Sequence, residues 1–255
     1  MLLNGKKGIV FGIANKRSLA WVIARRAVEE GATLALTYQG ERIEENVREL
    51  AESLNDPLIL PCDVTKNDEI ETVFTEVKEK MGGLDFAVHA VAFARREELD
   101  GEFVNTSREG YLIAQEVSAY SLTAIAKYAA PLMEASGGSI LALTYLGGER
   151  VIPHYNVMGV AKAALDMSVR YLAADLGPRG IRVNALSAGP IKTLSSAGIK
   201  GFSKILEHMR ERAPLRRNVD QAEVADAALF LLSNMSRGVT GETLHVDSGY
   251  HIMGM

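Results

Sequence analysis

The chain has 255 residues, 47% hydrophobic and 24% charged, with 23 glycines against 7 prolines. That is a globular composition and excludes disordered, collagen-like and low-complexity chains. A formal charge of −4, from 28 basic and 32 acidic side chains, offers no overall positive field to nucleic acid or an anionic membrane.

Cys62 is the single cysteine, so an internal disulfide and a thiolate metal cage are both excluded and a reducing compartment is expected. The five histidines show no ligand spacing, so no metal is expected. No leader pattern opens the sequence, and no apolar run approaches the roughly 18–20 residues of a membrane span. The expectation is a soluble cytoplasmic protein.

Along the chain, strand-like runs at 8–11, 33–38, 58–62, 86–89, 139–144, 182–186 and 243–246 alternate with helical patterns. The helices are predicted at 19–30, 42–54, 68–81, 107–135, 155–176, 203–212 and 222–232. Gly31, Gly82-Gly83 and Gly177-Pro178 stand where C′ glycines end helices, and Asp220 with Glu223 reads as a capping box. The strands are continuous apolar runs rather than alternations, so both faces of the sheet must be covered, which requires parallel strands. The expected fold is α/β, a single doubly wound Rossmann-type domain over 1–255 with a seven-stranded parallel sheet and helices on both faces.

Ligands of such sheets bind beyond the carboxyl ends of the strands. After the first strand there is no GxGxxG. Gly12, Ser18 and Ala20 stand instead, as a phosphate-approach glycine, a helix-start serine and a small packing residue, or as a plain strand–turn–helix with an N-cap serine. The second strand ends in Gln39, an amide that can bond a ribose hydroxyl but repels a 2′-phosphate less than a carboxylate would, and NADH is favoured over NADPH; Arg42 is either a solvated helix arginine or an attraction for a 2′-phosphate. Asp63, before Val64, is either an acceptor for an adenine amino group or a turn aspartate. The run His89 to Ala94 is small and apolar enough for a ring system to lie close, and His89 reads as a packed strand-end histidine.

The fifth strand runs into Tyr145, and ten residues later Tyr155 opens a helix that reaches Lys162. Seven residues are two helical turns with an offset of about 20°, so Tyr155 and Lys162 share a face, with Met158 on nearly the same side. A phenol that donates to an oxyanion beside an ammonium suits carbonyl or enolate chemistry.

At these residues the chain resembles the short-chain dehydrogenase/reductases and, within them, the NADH-dependent enoyl-acyl-carrier-protein reductases, over essentially its whole length. Most members of the superfamily have Tyr-x-x-x-Lys, which Met158 breaks. The enoyl reductases have Tyr-x6-Lys, matched by Tyr155 and Lys162, and a second tyrosine matched by Tyr145. They share Gly-x5-Ser-x-Ala (Gly12, Ser18, Ala20), Gln39, the Asp63-Val64 pair and a Gly-Pro-Ile-x-Thr run (Gly189, Pro190, Ile191, Thr193). Ala92 departs from the glycine common there and adds a methyl near the expected nicotinamide and acyl pocket.

The resemblance implies hydride transfer from NADH to the β-carbon of a trans-2-enoyl thioester, with Tyr155, Tyr145 and Lys162 as the catalytic residues. It implies a cofactor held by Gly12, Ser18, Leu19, Gln39, Asp63, Val64, Val91 and Lys162, together with Ile191, Lys192, Thr193, Leu194 and Ser195. Ala94, Tyr145, Tyr155, Met158, Ile199 and Phe202 are the substrate-side residues. A carbonyl reductase or alcohol dehydrogenase of the same fold, and a non-catalytic dinucleotide-binding protein, are the competing readings.

Beyond Pro190, small residues interspersed with Leu194, Ile199 and Phe202 read as an acyl-covering flap at about 192–212. Over 192–217 seven basic residues (Lys192, Lys200, Lys204, Arg210, Arg212, Arg216, Arg217) outnumber Glu207 and Glu211. Lys200, Lys204 and their neighbours are therefore the expected dock for an acidic acyl carrier protein. The helical stretches 107–135 and 155–176 are long enough to build subunit interfaces, and the resemblance implies a homotetramer.

Overall fold

The computed structural model describes residues 1–193 and 201–254. Seven parallel strands form one sheet: β1 (Lys7–Phe11), β2 (Thr33–Tyr38), β3 (Leu58–Pro61), β4 (Phe86–His89), β5 (Gly138–Thr144), β6 (Ile181–Ala188) and β7 (Thr243–Val246). Their order is β3-β2-β1-β4-β5-β6-β7. Val10 of β1 is in register with Leu36 of β2 on one side and with Val88 of β4 on the other. Strand order therefore reverses between β1 and β4, the switch point at which such sheets open a crevice.

The apolar runs are continuous because each strand feeds two cores. Ile9 and Phe11 join Phe74, Ile125, Ile140, Leu165 and Val183 in one layer, under α3 (Asn67–Met81), α5 (Ser121–Met133) and α6 (Asn156–Leu176). Val10 joins Trp21, Leu36, Val47, Phe86 and Leu229 in the other, under α1 (Leu19–Glu29), α2 (Glu41–Ala51) and α8 (Gln221–Leu232). All of these side chains except Trp21 have no more than 2% exposure, each stabilising by about 1.5–3 kcal/mol on burial.

Most helix ends follow their sequence signals. Gly31 (φ +92°) follows α1, and Gly82 (φ +74°) closes α3 in the left-handed conformation. The Asp220 carboxylate accepts from the Glu223 amide while Glu223 reaches back to the Asp220 amide, so the capping box forms. Two expectations are corrected. The single helix at 107–135 is α4 (Arg108–Gln115), a π-turn (Glu116–Tyr120) and α5, and it ends at Met133. Gly177 is right-handed (φ −53°); the chain continues in a 3-10 turn and the left-handed stop is Gly180 (φ +72°).

Between β4 and α4 lie 3-10 turns at Arg96–Leu99 and Phe103–Asn105. The buried Glu98 carboxylate accepts from both the amide and the hydroxyl of Ser107, and Ser107 in turn caps α4 by accepting from the Gly110 amide at 2.9 Å. The remaining helix, α7 (Phe202–Arg212), lies ahead of α8 in the chain. Among the described residues no helix is long and apolar enough to cross a membrane.

Candidate active site

A largely apolar cavity of about 660 Å³ lies beyond the carboxyl ends of β1, β2, β4, β5 and β6. Gly12, directly after β1, has φ +96°, and a Cβ there would lie 2.2 Å from the Ala90 carbonyl oxygen. Only glycine lets β1 and β4 deliver their loops so close together.

Ser18 is the N-cap of α1 but makes no side-chain cap bond. Its hydroxyl turns back to donate to the Asn15 carbonyl, and its own amide bonds the same oxygen at 3.0 Å. Among the described residues, the first-turn amides of Leu19 and Ala20 have neither an intrahelical nor a side-chain partner, at a helix end where the dipole favours anions. Ser18, Leu19 and Ala20 all line the cavity.

Of the other residues expected to hold a cofactor, Gln39, Val64, Val91, Lys162, Ile191 and Thr193 line the same cavity. Asp63 does not. Its carboxylate accepts from the Thr65 amide at 3.0 Å and hydroxyl at 2.8 Å, which is the turn-aspartate arrangement. Burial would push that carboxyl up, but the bonds from Thr65 and Gln39 and the charge of Lys66 hold it below the usual range. Lys192 faces a neighbouring cavity instead. Leu194, Ser195, Ile199 and Lys200 lie outside the described residues.

On the opposite margin, β5 leads into Tyr145, and Tyr155 is the N-cap of α6, one residue before the helix rather than in its first turn. Tyr155 is flanked by left-handed His154 (φ +62°) and Asn156 (φ +36°), backbone strain of the kind that clusters at working sites. The two phenol rings meet edge to face with centroids 5.1 Å apart. Burial, reinforced by Tyr250 and Asp247, pushes the Tyr145 hydroxyl up to about 12; burial, then Tyr145 and Asp166, pushes Tyr155 higher still. Both are protonated donors at neutral pH.

Lys162, two turns into α6, is 5% exposed and donates to the Leu143 carbonyl at 2.7 Å. Burial lowers its pKa to about 8, against the pull of Asp166 one turn on. Met158, Ala94 and Phe202 complete the expected wall. The cavity therefore brings together a phenol, a second phenol and an ammonium at one end and open helix amides at the other. That arrangement can hold an anionic tail while stabilising charge on a substrate oxygen.

Sequence reasoning passes over Ile152 and Ile205, which also line the cavity. They sit in loops or on a short helix where apolar residues have no periodic signature. It also misses Gly147, where a Cβ would lie 2.4 Å from Tyr155 Cδ1 and 3.2 Å from Tyr145 Cδ1. The Gly147-Gly148 pair marks a turn in sequence but not the need for space.

His89 has no exposed surface, and burial with the Lys162 charge lowers its pKa to about 3, so it is neutral and structural. A second cavity of about 1180 Å³ is lined by Lys16, Arg17, Arg25, Lys192 and Arg210 against Glu207 and Asp220. Pro190 and Ile191 belong to both cavities.

The family described as Enoyl-(Acyl carrier protein) reductase matches residues 12–251. The NADH-dependent enoyl-acyl-carrier-protein reductase FabI of Bacillus subtilis is 60% identical over 252 residues, covering 98% of this chain and 97% of that one. The NADPH-dependent FabI of Staphylococcus aureus is 51% identical over 251 residues, 98% of each. Among solved structures, the Bacillus cereus enoyl-acyl-carrier-protein reductase with NADP+ and indole naphthyridinone superposes with a TM-score of 0.98 at 57% identity, covering 100% of this chain and 99% of that one. The Anaplasma phagocytophilum reductase in complex with NAD gives 0.96 at 53% identity, with 100% and 97% covered.

Proposed function

The chain belongs to the enoyl-acyl-carrier-protein reductase family, and from that premise we propose that Tyr155, Lys162 and Tyr145 perform the reduction in the 660 Å³ cavity with NADH as the preferred cofactor. The enzyme is an oxidoreductase of fatty-acid elongation that uses a nicotinamide cofactor. The carbonyl-reductase and non-catalytic readings fall away with the family assignment.

The observation that carries the site reading is the convergence of Tyr155 and Lys162, seven residues apart, on one cavity with Tyr145. The residues fit a dinucleotide. The first-turn amides of α1, which Ser18 leaves uncapped, suit a diphosphate, and Gln39 at the end of β2 offers an amide to a ribose. Val64 and Val91 supply apolar walls. When bound, the reduced nicotinamide supplies a hydride.

Tyr155 donates its hydroxyl to the carbonyl oxygen of the enoyl thioester and stabilises the charge that gathers there as the β-carbon is reduced. Lys162, held by the Leu143 carbonyl, keeps a positive charge beneath that oxygen and anchors the ribose. Tyr145 packs the Tyr155 ring and lines the substrate side. Ala94, Met158 and Phe202 shape the acyl channel and, with the low polarity of the wall, exclude water from the developing charge.

Cofactor choice rests on Gln39, since the relatives include both kinds: the B. subtilis enzyme is named for NADH and the S. aureus enzyme for NADPH. Oxidation of NADH and of NADPH with a short enoyl thioester, compared by kcat/KM, is the test. A ratio above about tenfold for NADH is expected, and equality or a preference for NADPH overturns the reading.

An acidic acyl carrier protein docks, on this proposal, at the basic 192–217 stretch. Lys192 and Arg210 support this by lining one groove with Lys16 and Arg17 ahead of α1 and Arg25 on it, beside the cavity where Pro190 and Ile191 are shared. Lys204 lies on the first turn of α7 and lines neither cavity. Exposed Tyr111, Leu112, Tyr120, Met167 and Tyr171 on the α4–α6 face support assembly with copies of this chain into a homotetramer, which light scattering tests by mass. The lone buried thiol of Cys62 fits a cytoplasmic setting.

A further inference from the structure

The helix spanning 108–133 is α-helical at both ends, but Glu116–Tyr120 winds as a π-turn. Such turns are rare and concentrate at functional sites. This one delivers two serines, each without exposed surface, onto a single short piece of chain.

Ser121 donates to the Val117 carbonyl at 2.7 Å and therefore accepts from Nε2–H of His89, the last residue of β4, also at 2.7 Å. Ser118 accepts from the Phe93 amide at 3.0 Å, and its hydroxyl faces the Phe93 carbonyl at 3.2 Å and Met158 Sδ at 3.7 Å. Between these anchors lie Ala90, Val91 and Ala92, which with Phe93 form one wall of the reaction cavity.

Strand pairing of β4 stops at His89. Among the described residues, backbone bonding to this wall ends at the Ala90 amide, which donates to Phe11 at 3.2 Å. Among the described residues, the hydrogen bonds that hold 91 to 94 are those of Ser118.

We propose that the π-turn is a clamp on the 89–93 wall and that Ser118 is a positioning residue for substrate recognition. By fixing the Phe93 backbone relative to Met158, Ser118 sets the gap between two elements of the cavity wall that the enoyl group must enter. The inference rests on the reading of this cavity as the site of reduction.

Steady-state kinetics of Ser118→Ala test the clamp. KM for an enoyl thioester is expected to rise about fivefold to tenfold, the range one buried hydrogen bond commands. The cofactor Kd should stay within about twofold and kcat should change less than KM. The control is Ser139→Ala, which removes an equally buried serine hydroxyl that donates to the Leu231 carbonyl at 2.9 Å on the far end of β5. A KM within about twofold of the parent for Ser118→Ala overturns the clamp, and so does an equal KM rise in Ser139→Ala, which would mark a general loss of stability. If Ser118→Ala fails to fold, Ser118→Cys takes its place, with a smaller KM rise expected and an unchanged KM overturning the proposal. Tyr155→Phe is measured alongside: if it too is silent, the cavity assignment has failed rather than the clamp.

Discussion

Tyr145 presents its ring to Tyr155 edge to face, with centroids 5.1 Å apart and planes at 75°. This contact orients the Tyr155 phenol without using its hydroxyl, so the two tyrosines divide the work. Tyr155→Phe removes a donor to the developing oxyanion and should lower kcat by about 3–4 kcal/mol in barrier, about 10²–10³-fold, with cofactor affinity near that of the parent. Tyr145→Phe keeps the ring contact and should cost far less. An unaltered kcat in Tyr155→Phe rejects the assignment.

Gly147 is where this pair takes up its space. A methyl at that position would press on Tyr155 Cδ1 at 2.4 Å and Cε1 at 2.7 Å. Gly147→Ala should therefore lower kcat by at least about tenfold although it deletes no chemical group. Combined with Tyr155→Phe its effect should be less than additive, because both act through one hydroxyl. Full additivity in the double-mutant cycle would show that Gly147 acts elsewhere.

Lys162 couples catalysis to pH. Its folded pKa of about 8 lies below the ordinary 10.5, chiefly through burial. Below pH 8 the folded state carries a buried charge that costs about 3 kcal/mol relative to the unfolded chain, and this cost is relieved as pH rises from 8 to 10.5. The free enzyme should gain stability over that window while kcat/KM falls above pH about 8 as the ammonium is lost. In Lys162→Met, denaturant titrations should show no such gain, and cofactor affinity should drop. A parent enzyme whose kcat/KM is flat from pH 7 to 10 contradicts the role given to this lysine.

How much of this was legible in the sequence depends on whether a residue's job is local. The run Ile9-Val10-Phe11 announces two-sided burial because a parallel strand has no polar face to show, and Asp220 with Glu223 announces a helix start because both partners lie within one turn. Tyr155 and Lys162 were legible because two helical turns relate them. The π-turn was not: an extra residue in one turn shifts the phase of the apolar pattern without breaking it, so 107–135 reads as one helix. Gly177 before Pro178 reads as a stop, yet a 3-10 turn carries the chain on to Gly180. The groove formed by Arg17 and Arg25 with Arg210 joins residues nearly 200 positions apart, a relation only tertiary structure creates.

The capping box gives a stability test that is independent of chemistry. Asp220→Ala leaves the Glu223 amide in the first turn of α8 without its acceptor and should cost about 1 kcal/mol. Tm should fall by about 2–4 °C for a chain of this size, with KM for the thioester unchanged. A variant as stable as the parent would mean that the helix start is held by its packing on α1 rather than by its cap.

Charge reversal at the basic stretch separates carrier recognition from chemistry. Lys200→Glu with Lys204→Glu tests the sequence-derived dock, and Arg210→Glu with Arg17→Glu tests the groove that α1 and α7 share. Electrostatic steering acts over distances set by salt, so the parent's KM for carrier-bound substrate should rise steeply between 50 and 300 mM salt, on the order of tenfold. Each reversed pair should raise that KM at low salt and flatten its salt dependence, while a short uncharged enoyl thioester reports the same kcat/KM throughout. If both substrates suffer equally, the substitutions have disturbed the cavity through Ile191 and Phe202 and the docking role is lost; if neither pair affects the carrier-bound substrate, the carrier seats on another face.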